Sequence, residues 1–97
     1  MKRLWHRLAR LANPPLLIVE MTATGVRCTR GTPPAAWLAD CADVAESFGL
    51  TRGQLDVVLF AGRWQLRFSP ELPRACHQRF RNVFGVHQQN LQPPRRR

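Results

Sequence analysis

The residues whose chemistry could support catalysis or metal binding are three cysteines and three histidines. The cysteines, Cys28, Cys41 and Cys76, show no Cys-X-X-Cys spacing, and each falls on the apolar side of its predicted strand or helix. This placement is typical of small buried hydrophobic residues rather than of metal ligands. A zinc site would have to recruit histidines from other elements, namely His6, His77 and His87. We therefore predict no metal site and no cofactor.

A catalytic site is also not indicated. Cys76 and His77 are adjacent, but neighbouring residues of a helix point in different directions and do not form a nucleophile and base pair. We recognise no Ser/His/Asp set, paired carboxylates or phosphate-binding loop in the chain. The prediction is that the protein is not an enzyme and takes no small-molecule substrate.

Positive charge is the most informative chemical feature. The 97 residues include 15 Lys and Arg against six Asp and Glu, which gives a net charge of +9. The charge is concentrated at the two ends and on the second of two predicted helices, whereas the first helix is acidic. This distribution is an electrostatic footprint for a polyanion. The predicted nucleic-acid contacts are Arg74, His77, Arg81, Arg63, Arg67, Lys2, Arg3, Arg7, Arg10, Arg95, Arg96 and Arg97.

The elements that must position these side chains are clearest between residues 55 and 86. A two-residue turn at Ala61-Gly62 pairs Leu59 with Trp64 and places alternating apolar residues on one face of a hairpin. The same register puts Phe60 across from Arg63 on the other face. A strand-turn-strand unit is therefore predicted here.

A helix is predicted after this hairpin. Its cap is Ser69, within the sequence Ser-Pro-Glu, and its end is Gly85. Arg74, His77 and Arg81 then share one exposed face, because they recur at i, i+3 and i+7. The opposite face carries apolar residues at helical spacing and packs on the sheet.

The stretch from residue 19 to residue 50 has the same order of elements. A turn at Thr24-Gly25 pairs Ala23 with Val26, and a Pro-Pro step opens a helix that Gly49 closes. Several positions of the two stretches correspond at a constant spacing of 36 residues, as Cys28 does with Trp64. We interpret residues 19–50 and 55–86 as possible repeats from an internal duplication.

The predicted fold is α+β with the element order ββαββα. A four-stranded antiparallel sheet carries two helices on one face and occupies residues 16–88, without a derivable strand order. Residues 1–15 form a basic amphipathic N-terminal helix that ends at Pro14-Pro15, and residues 89–97 form a basic disordered tail. No signal peptide or transmembrane helix is expected, and a cytoplasmic location is predicted.

The N-terminal helix has three open interpretations. It binds an anionic membrane surface, it is a nucleic-acid arm, or it covers part of the domain. The outer sheet face offers a related choice, since Arg27, Arg63 and Arg67 around Phe60 resemble a surface for single-stranded RNA. We favour the alternative in which the N-terminal helix covers Phe60, Val58 and Ile18. The predicted protein or membrane contacts are Leu4, Trp5, Leu8, Leu11 and Phe60.

Two segments carry a resemblance to a known family. The segments PPAAWLADCADVAESFG and FSPELPRACHQRFRNVFG resemble a family of small basic bacterial proteins of unknown function. The shared features are a Pro-Pro-helix unit and an FS..(L/I)P...QRFRNV segment, and the match spans roughly residues 19 to 86. The resemblance implies a bacterial source and no activity.

The leading functional hypothesis is a noncatalytic nucleic-acid-binding module. Its partner is RNA, which we favour over DNA, or a ribonucleoprotein. The first alternative is a small protein-interaction subunit of a larger assembly, and the second is a peripheral adaptor on anionic membrane. Electrostatics does not separate these hypotheses, because RNA and anionic lipid attract the same arginines.

Overall fold

The structure, a computed structural model, describes residues 14–91. Its elements confirm the predicted α+β fold and the order ββαββα. The predicted N-terminal helix lies almost wholly outside the described residues. The elements are β1 (Leu17–Thr22), β2 (Gly25–Arg30), α1 (Ala35–Ser47), β3 (Gly53–Phe60), β4 (Arg63–Phe68), α2 (Arg74–His87) and a 3-10 turn (Gln88–Asn90).

The four strands form one antiparallel sheet in the order β2-β1-β3-β4. The first strands of the two hairpins are therefore neighbours in the centre, and the second strands form the edges. Leu17 lies opposite Val57 and Val19 lies opposite Leu55 in the central pair. This central pairing places the apolar residues of both hairpins on one face.

The β3–β4 hairpin has the predicted register. Leu59 pairs with Trp64, and Phe60 pairs with Arg63. Ala61 and Gly62 both have positive φ, at 53° and 76°, which is the backbone of a type I′ turn. A glycine is needed at the second position because L side chains rarely adopt this conformation.

The β1–β2 hairpin differs from its prediction by two residues of register. Met21 pairs with Val26, and the turn residues are Ala23 and Thr24. The Thr22 hydroxyl stabilises this turn, since its Oγ1 donates to the Gly25 carbonyl oxygen at 3.0 Å and accepts from the Thr24 amide at 3.3 Å. A shift of two residues leaves every side chain on its predicted face.

The helix limits agree with the prediction for α1 and differ for α2. Gly49 has a φ of +64°, and the amide of Leu50 donates to the carbonyl oxygen of Ala45 at 2.8 Å, so α1 ends in a Schellman motif. The predicted cap on Ser69 is wrong, because its hydroxyl accepts from the Gln54 amide at 2.9 Å. The predicted end at Gly85 is also wrong, since α2 continues through it to His87.

The C-terminal boundary of the domain also lies beyond its predicted place. Residues 88–90 form the 3-10 turn, and Leu91 is buried in the core. Residues 89–91, which were predicted to belong to the tail, are therefore ordered, and the rest of the predicted tail lies outside the described residues.

Both helices pack on the same sheet face, as predicted. Phe84 joins the two sides of the core, because its ring meets Trp37 of α1 at 6.2 Å and Trp64 of β4 at 6.3 Å, both edge-to-face. The Asp40 and His87 side chains connect the helices at 2.7 Å. Within residues 14–91, no helix has the length and apolar character needed to cross a bilayer. The helix and strand residues of this core are Leu17, Val19, Met21, Trp37, Cys41, Val44, Ala45, Leu55, Val57, Cys76, Phe80 and Phe84.

The opposite sheet face is partly buried as well. Ile18 and Val58 are buried, and so is Asp56 between them. Phe60, which we expected to be covered with them, is 56% exposed. The expected cover therefore does not include Phe60, and the N-terminal residues assigned to it lie outside the described range.

Candidate nucleic-acid interface

Charge is divided between the two halves of the described domain. The β1–β2–α1 half has two arginines against four acidic residues, whereas residues 51–91 have six arginines against two acidic residues. Because α1 contacts β2 and the aromatic rings of α2 contact β4, the two halves lie on opposite sides of the sheet centre. The arginines of the second half are Arg52, Arg63, Arg67, Arg74, Arg79 and Arg81.

Two of the three exposed arginines of α2 rest against aromatic rings. The guanidinium of Arg81 lies 5.4 Å from the centre of the Phe68 ring of β4, and that of Arg79 lies 5.9 Å from the Phe48 ring. Stacking of this kind restricts an arginine while its N–H groups stay available to a phosphate. Arg74 is exposed at the start of the helix.

His77 does not share the fully exposed face on which it was predicted. Its ring is half-buried and stacks on Phe68 with a centre-to-centre distance of 4.0 Å and an angle of 7°. Its Nε2 lies 3.1 Å from the carbonyl oxygen of Leu72, which accepts the hydrogen bond. The imidazole therefore joins the start of α2 to β4, and Arg74 and Arg81 remain the exposed cations of this helix flank.

A groove runs between β4 and α2 beside Arg81. It has a volume of about 400 Å³, and Arg81, Trp64 and Gln65 are among its lining residues. Trp64 lies on the apolar face predicted for the hairpin and packs against the core, but it is only partly buried. Its position on an edge strand, next to a groove and an arginine, is the feature that sequence reasoning missed, and no strand pattern distinguishes it from a core residue. We call the groove itself the β4–α2 groove; its lining residues are Trp64, Gln65, Leu66, Arg81, Phe84 and Gln88.

The arginines of the outer sheet face do not form one cluster. Arg27 lies on the far edge strand and pairs with Glu20, with its Nε 3.0 Å from Oε1. Arg63 is exposed directly opposite Phe60, and Arg67 is half-buried on the same strand. Of these three arginines only Arg63 therefore lies next to Phe60, whereas Arg67 lies opposite Asp56, and both belong to the β4 side of the molecule.

The thiols have the environment expected of packing residues. Cys41 and Cys76 are buried, and Cys28 is half-buried with its Sγ donating to the carbonyl oxygen of Arg30 at 2.9 Å. Burial, reinforced by the neighbouring Asp40 carboxylate, raises the pKa of Cys41 to about 12. Burial also raises the pKa of Cys76. A raised pKa disfavours the thiolate, which is the reactive form of a cysteine.

The remaining predicted contacts lie outside the described residues. They are Lys2, Arg3, Leu4, Trp5, Arg7, Leu8, Arg10, Leu11, Arg95, Arg96 and Arg97.

Fold and surface together define a small ββαββα domain with a groove beside Arg81 at one edge of its sheet. The chain belongs to the family described as "Protein of unknown function (DUF3634)", which matches residues 7–96. The predicted membership in a family of unknown function is thereby confirmed. No curated protein and no solved structure is significantly similar to the chain.

Proposed function

We propose that this protein is a noncatalytic nucleic-acid-binding module of a bacterial cytoplasm, with RNA or a ribonucleoprotein as its partner. The observation that carries the proposal is the β4–α2 groove, where Trp64 and Arg81 line the same depression on the basic half of the domain. Single-stranded nucleic acids are held by this combination, since bases stack on aromatic faces and phosphates pair with arginines.

The two components of the surface have separate roles. Arg74 and Arg81 are exposed on one flank of α2 and neutralise phosphates. Trp64 lines the groove together with Arg81 and offers a partly exposed side chain to an unstacked base. Arg63 extends the basic surface around the edge strand. The basic ends of the chain add diffuse attraction that does not depend on the groove.

Charge reversal on α2 tests this proposal. The variant carrying Arg74→Glu and Arg81→Glu is expected to bind a mixed-sequence single-stranded RNA at least about tenfold more weakly than the parent, because two phosphate contacts are replaced by repulsion. Its melting temperature should fall only slightly, since surface substitutions usually change stability by about 0.5 kcal/mol and an exposed cation–π contact by about 0.5–1 kcal/mol. Fluorescence anisotropy and thermal unfolding measure the two quantities.

The matched control is the variant carrying Arg27→Glu and Arg30→Glu. Both residues are exposed and lie on β2, at the sheet edge opposite β4, and the variant has the same net charge as the α2 variant. It should keep most of the RNA affinity. Equal losses in the two variants would show that only net charge matters, and unchanged binding in the α2 variant would remove this helix from the interface.

A protein-interaction role is the second candidate. It is favoured by two exposed apolar side chains on the basic half, Phe60 at 56% and Val86 at 68%. Peripheral attachment to anionic membrane is the third candidate, and it depends on residues 1–12. Cosedimentation with anionic liposomes tests the membrane role, and replacement of Phe60 and Val86 by Ser tests the protein role without altering charge.

A further inference from the structure

A carboxylate on the outer sheet face has lost its contact with solvent. Asp56 lies in the middle of β3 and is 0% exposed. Its Oδ1 accepts a hydrogen bond from Gln54 Nε2 at 2.8 Å, and its buried Oδ2 has no hydrogen-bond partner among residues 14–91. A buried carboxylate requires a cation or further donors to compensate for lost hydration.

Besides Gln54, the neighbours of Asp56 on this face are two buried aliphatic residues and one half-buried arginine, Arg67, which lies directly across from it on β4. Ile18 lies directly opposite Asp56 on β1 and is 3% exposed, and Val58 follows two residues later on β3 and is 0% exposed. Both described α-helices lie on the other face of the sheet. Oδ2 receives no hydrogen bond from the described residues, although Arg67 lies on the neighbouring strand. The outer face therefore requires a cover that is apolar over Ile18 and Val58 and supplies a donor at Asp56.

The course of the chain indicates which segment is near enough. The amide of Leu16 donates to the carbonyl oxygen of Val57 at 2.8 Å, so the chain that precedes β1 starts beside Val58. Pro15 is fully buried at this point. At the other end of the domain, Leu91 packs into the core on the helix side, so the chain that follows it leaves from the opposite face.

The composition of residues 1–13 matches this requirement. The segment contains no acidic residue, and Leu4, Leu8 and Leu11 recur at helical spacing. Its basic residues are Lys2, Arg3, Arg7 and Arg10, with His6 among them. Apolar residues with interspersed cations are the complement of a face that has two aliphatic side chains and one buried carboxylate.

We propose that residues 1–13 pack across the outer sheet face, with their leucines on Ile18 and Val58 and one of their basic side chains paired with Asp56. The segment is then an intramolecular cover rather than a free arm or a membrane anchor. This proposal does not depend on RNA binding, since it concerns the face opposite α1 and α2.

Thiol labelling of the covered face tests the packing. In the full chain, alkylation of the Val58→Cys variant with iodoacetamide should be slow, and adding Leu4→Glu and Leu8→Glu should accelerate it by about tenfold or more, because local exposure governs access. Mass spectrometry assigns the label to position 58 rather than to the native cysteines. The control is Gln65→Cys, an exposed position directly across from Val58, which should react at one rate in both backgrounds.

Labelling at position 58 that does not change with the two leucine substitutions would overturn the proposal. Fast labelling in both backgrounds would mean that nothing covers the face. Slow labelling in both would mean that another occupant does, and a dependence of the rate on protein concentration would identify a second copy of the chain.

The direction in which the substitution Asp56→Asn changes the melting temperature tests the pairing with Asp56. If a basic side chain of the segment pairs with it, Asp56→Asn lowers the melting temperature of the full chain, and this effect is lost in the Leu4→Glu and Leu8→Glu background. If the carboxylate has no cationic partner, removing the buried charge raises the melting temperature. A rise or no change in the full chain would therefore contradict the pairing. An equal fall in both backgrounds would also contradict it, because the effect would then come from Arg67, directly across on β4.

Discussion

The Cys41 side chain is fully buried between α1 and the sheet, beside the Asp40 carboxylate. Burial is the main reason that the pKa of its thiol is raised from 9.0 to about 12. The sequence predicted the burial, because Cys41 lies on the apolar stripe of its helix. The role of Asp40 was not predictable, since the contact of its carboxylate with His87 is made across 47 residues of sequence.

The sequence also predicted the surroundings of the basic side chains of α2 only in part. The helical spacing of Arg74 and Arg81 correctly predicted that both are exposed. The same spacing gave no indication that His77 would stack on Phe68, because that contact depends on the position of β4 beside α2. Helical periodicity defines a face, but the neighbouring element decides how much of that face reaches solvent.

The raised pKa of Cys41 makes stability depend on alkaline pH. The unfolded chain releases the thiol proton near pH 9, whereas the folded protein retains it toward pH 12. The folded state therefore binds more protons in this window, and the free energy of unfolding should fall with rising pH by at most about 1.4 kcal/mol per pH unit from this thiol. Urea unfolding between neutral and alkaline pH should show a steeper decline for the parent than for Cys41→Ala.

The same variant provides a functional control for the thiol. Cys41→Ala should bind RNA as tightly as the parent, since the side chain reaches no surface. Equal pH slopes for parent and variant would contradict the assigned burial effect, and loss of RNA binding by a folded variant would show that the thiol has a functional role.

The two hairpins show how far local sequence determines an element. Ala61-Gly62 is a strong signal for a two-residue turn, and the predicted register of β3–β4 is confirmed. Thr24-Gly25 resembled a similar signal, but the Thr22 hydroxyl bonds to the backbone and moves the turn to residues 23 and 24. Side-chain hydrogen bonds of this kind compete with turn propensity and are not visible in an apolar pattern.

Tertiary contacts likewise displaced the predicted ends of α2. Ser69 has the sequence context of a helix cap, but its hydroxyl is used by the amide of Gln54 on β3. Gly85 resembled a helix stop, yet the helix continues to His87, which contacts Asp40. In both places a partner distant in sequence replaced the local preference.

The contact between Asp40 and His87 should contribute measurably to the packing of α1 against α2. A double-mutant cycle with Asp40→Asn and His87→Ala should give a coupling energy of about 0.5–1 kcal/mol, because one side chain is mostly buried and the other is half exposed. Urea unfolding of the parent, the two single variants and the double variant measures this quantity. Additive effects of the two substitutions would show that the contact does not stabilise the domain.

At the scale of the whole molecule, the two halves are arranged about an approximate twofold axis. Met21 with Val26 and Leu59 with Trp64 are equivalent pairs next to their turns. By this equivalence Ile18 corresponds to Asp56, and these residues face each other across the central strands. The two turns are separated by more than the predicted spacing of 36 residues, so the positions that correspond between the two stretches differ from the predicted ones. The internal duplication itself stays a prediction.

The same arrangement separates the charges. One half presents acidic α1, with Asp43 and Glu46 exposed, and the other presents Arg74, Arg81 and Arg63 around the β4–α2 groove. Charge counts along the sequence indicated two polarities, but only the strand order β2-β1-β3-β4 places them on opposite sides. The strand order was not derivable because both hairpins have the same apolar pattern.

Ultraviolet cross-linking in cells that produce the protein natively, followed by mass spectrometry of the cross-linked peptides, tests the nucleic-acid proposal most directly. The expected result is RNA adducts on peptides of β4 and α2, including the region of Trp64, with few or none on the acidic α1. Adducts confined to residues 1–13 or 92–97, or the recovery of partner proteins without RNA, would contradict binding at the β4–α2 groove.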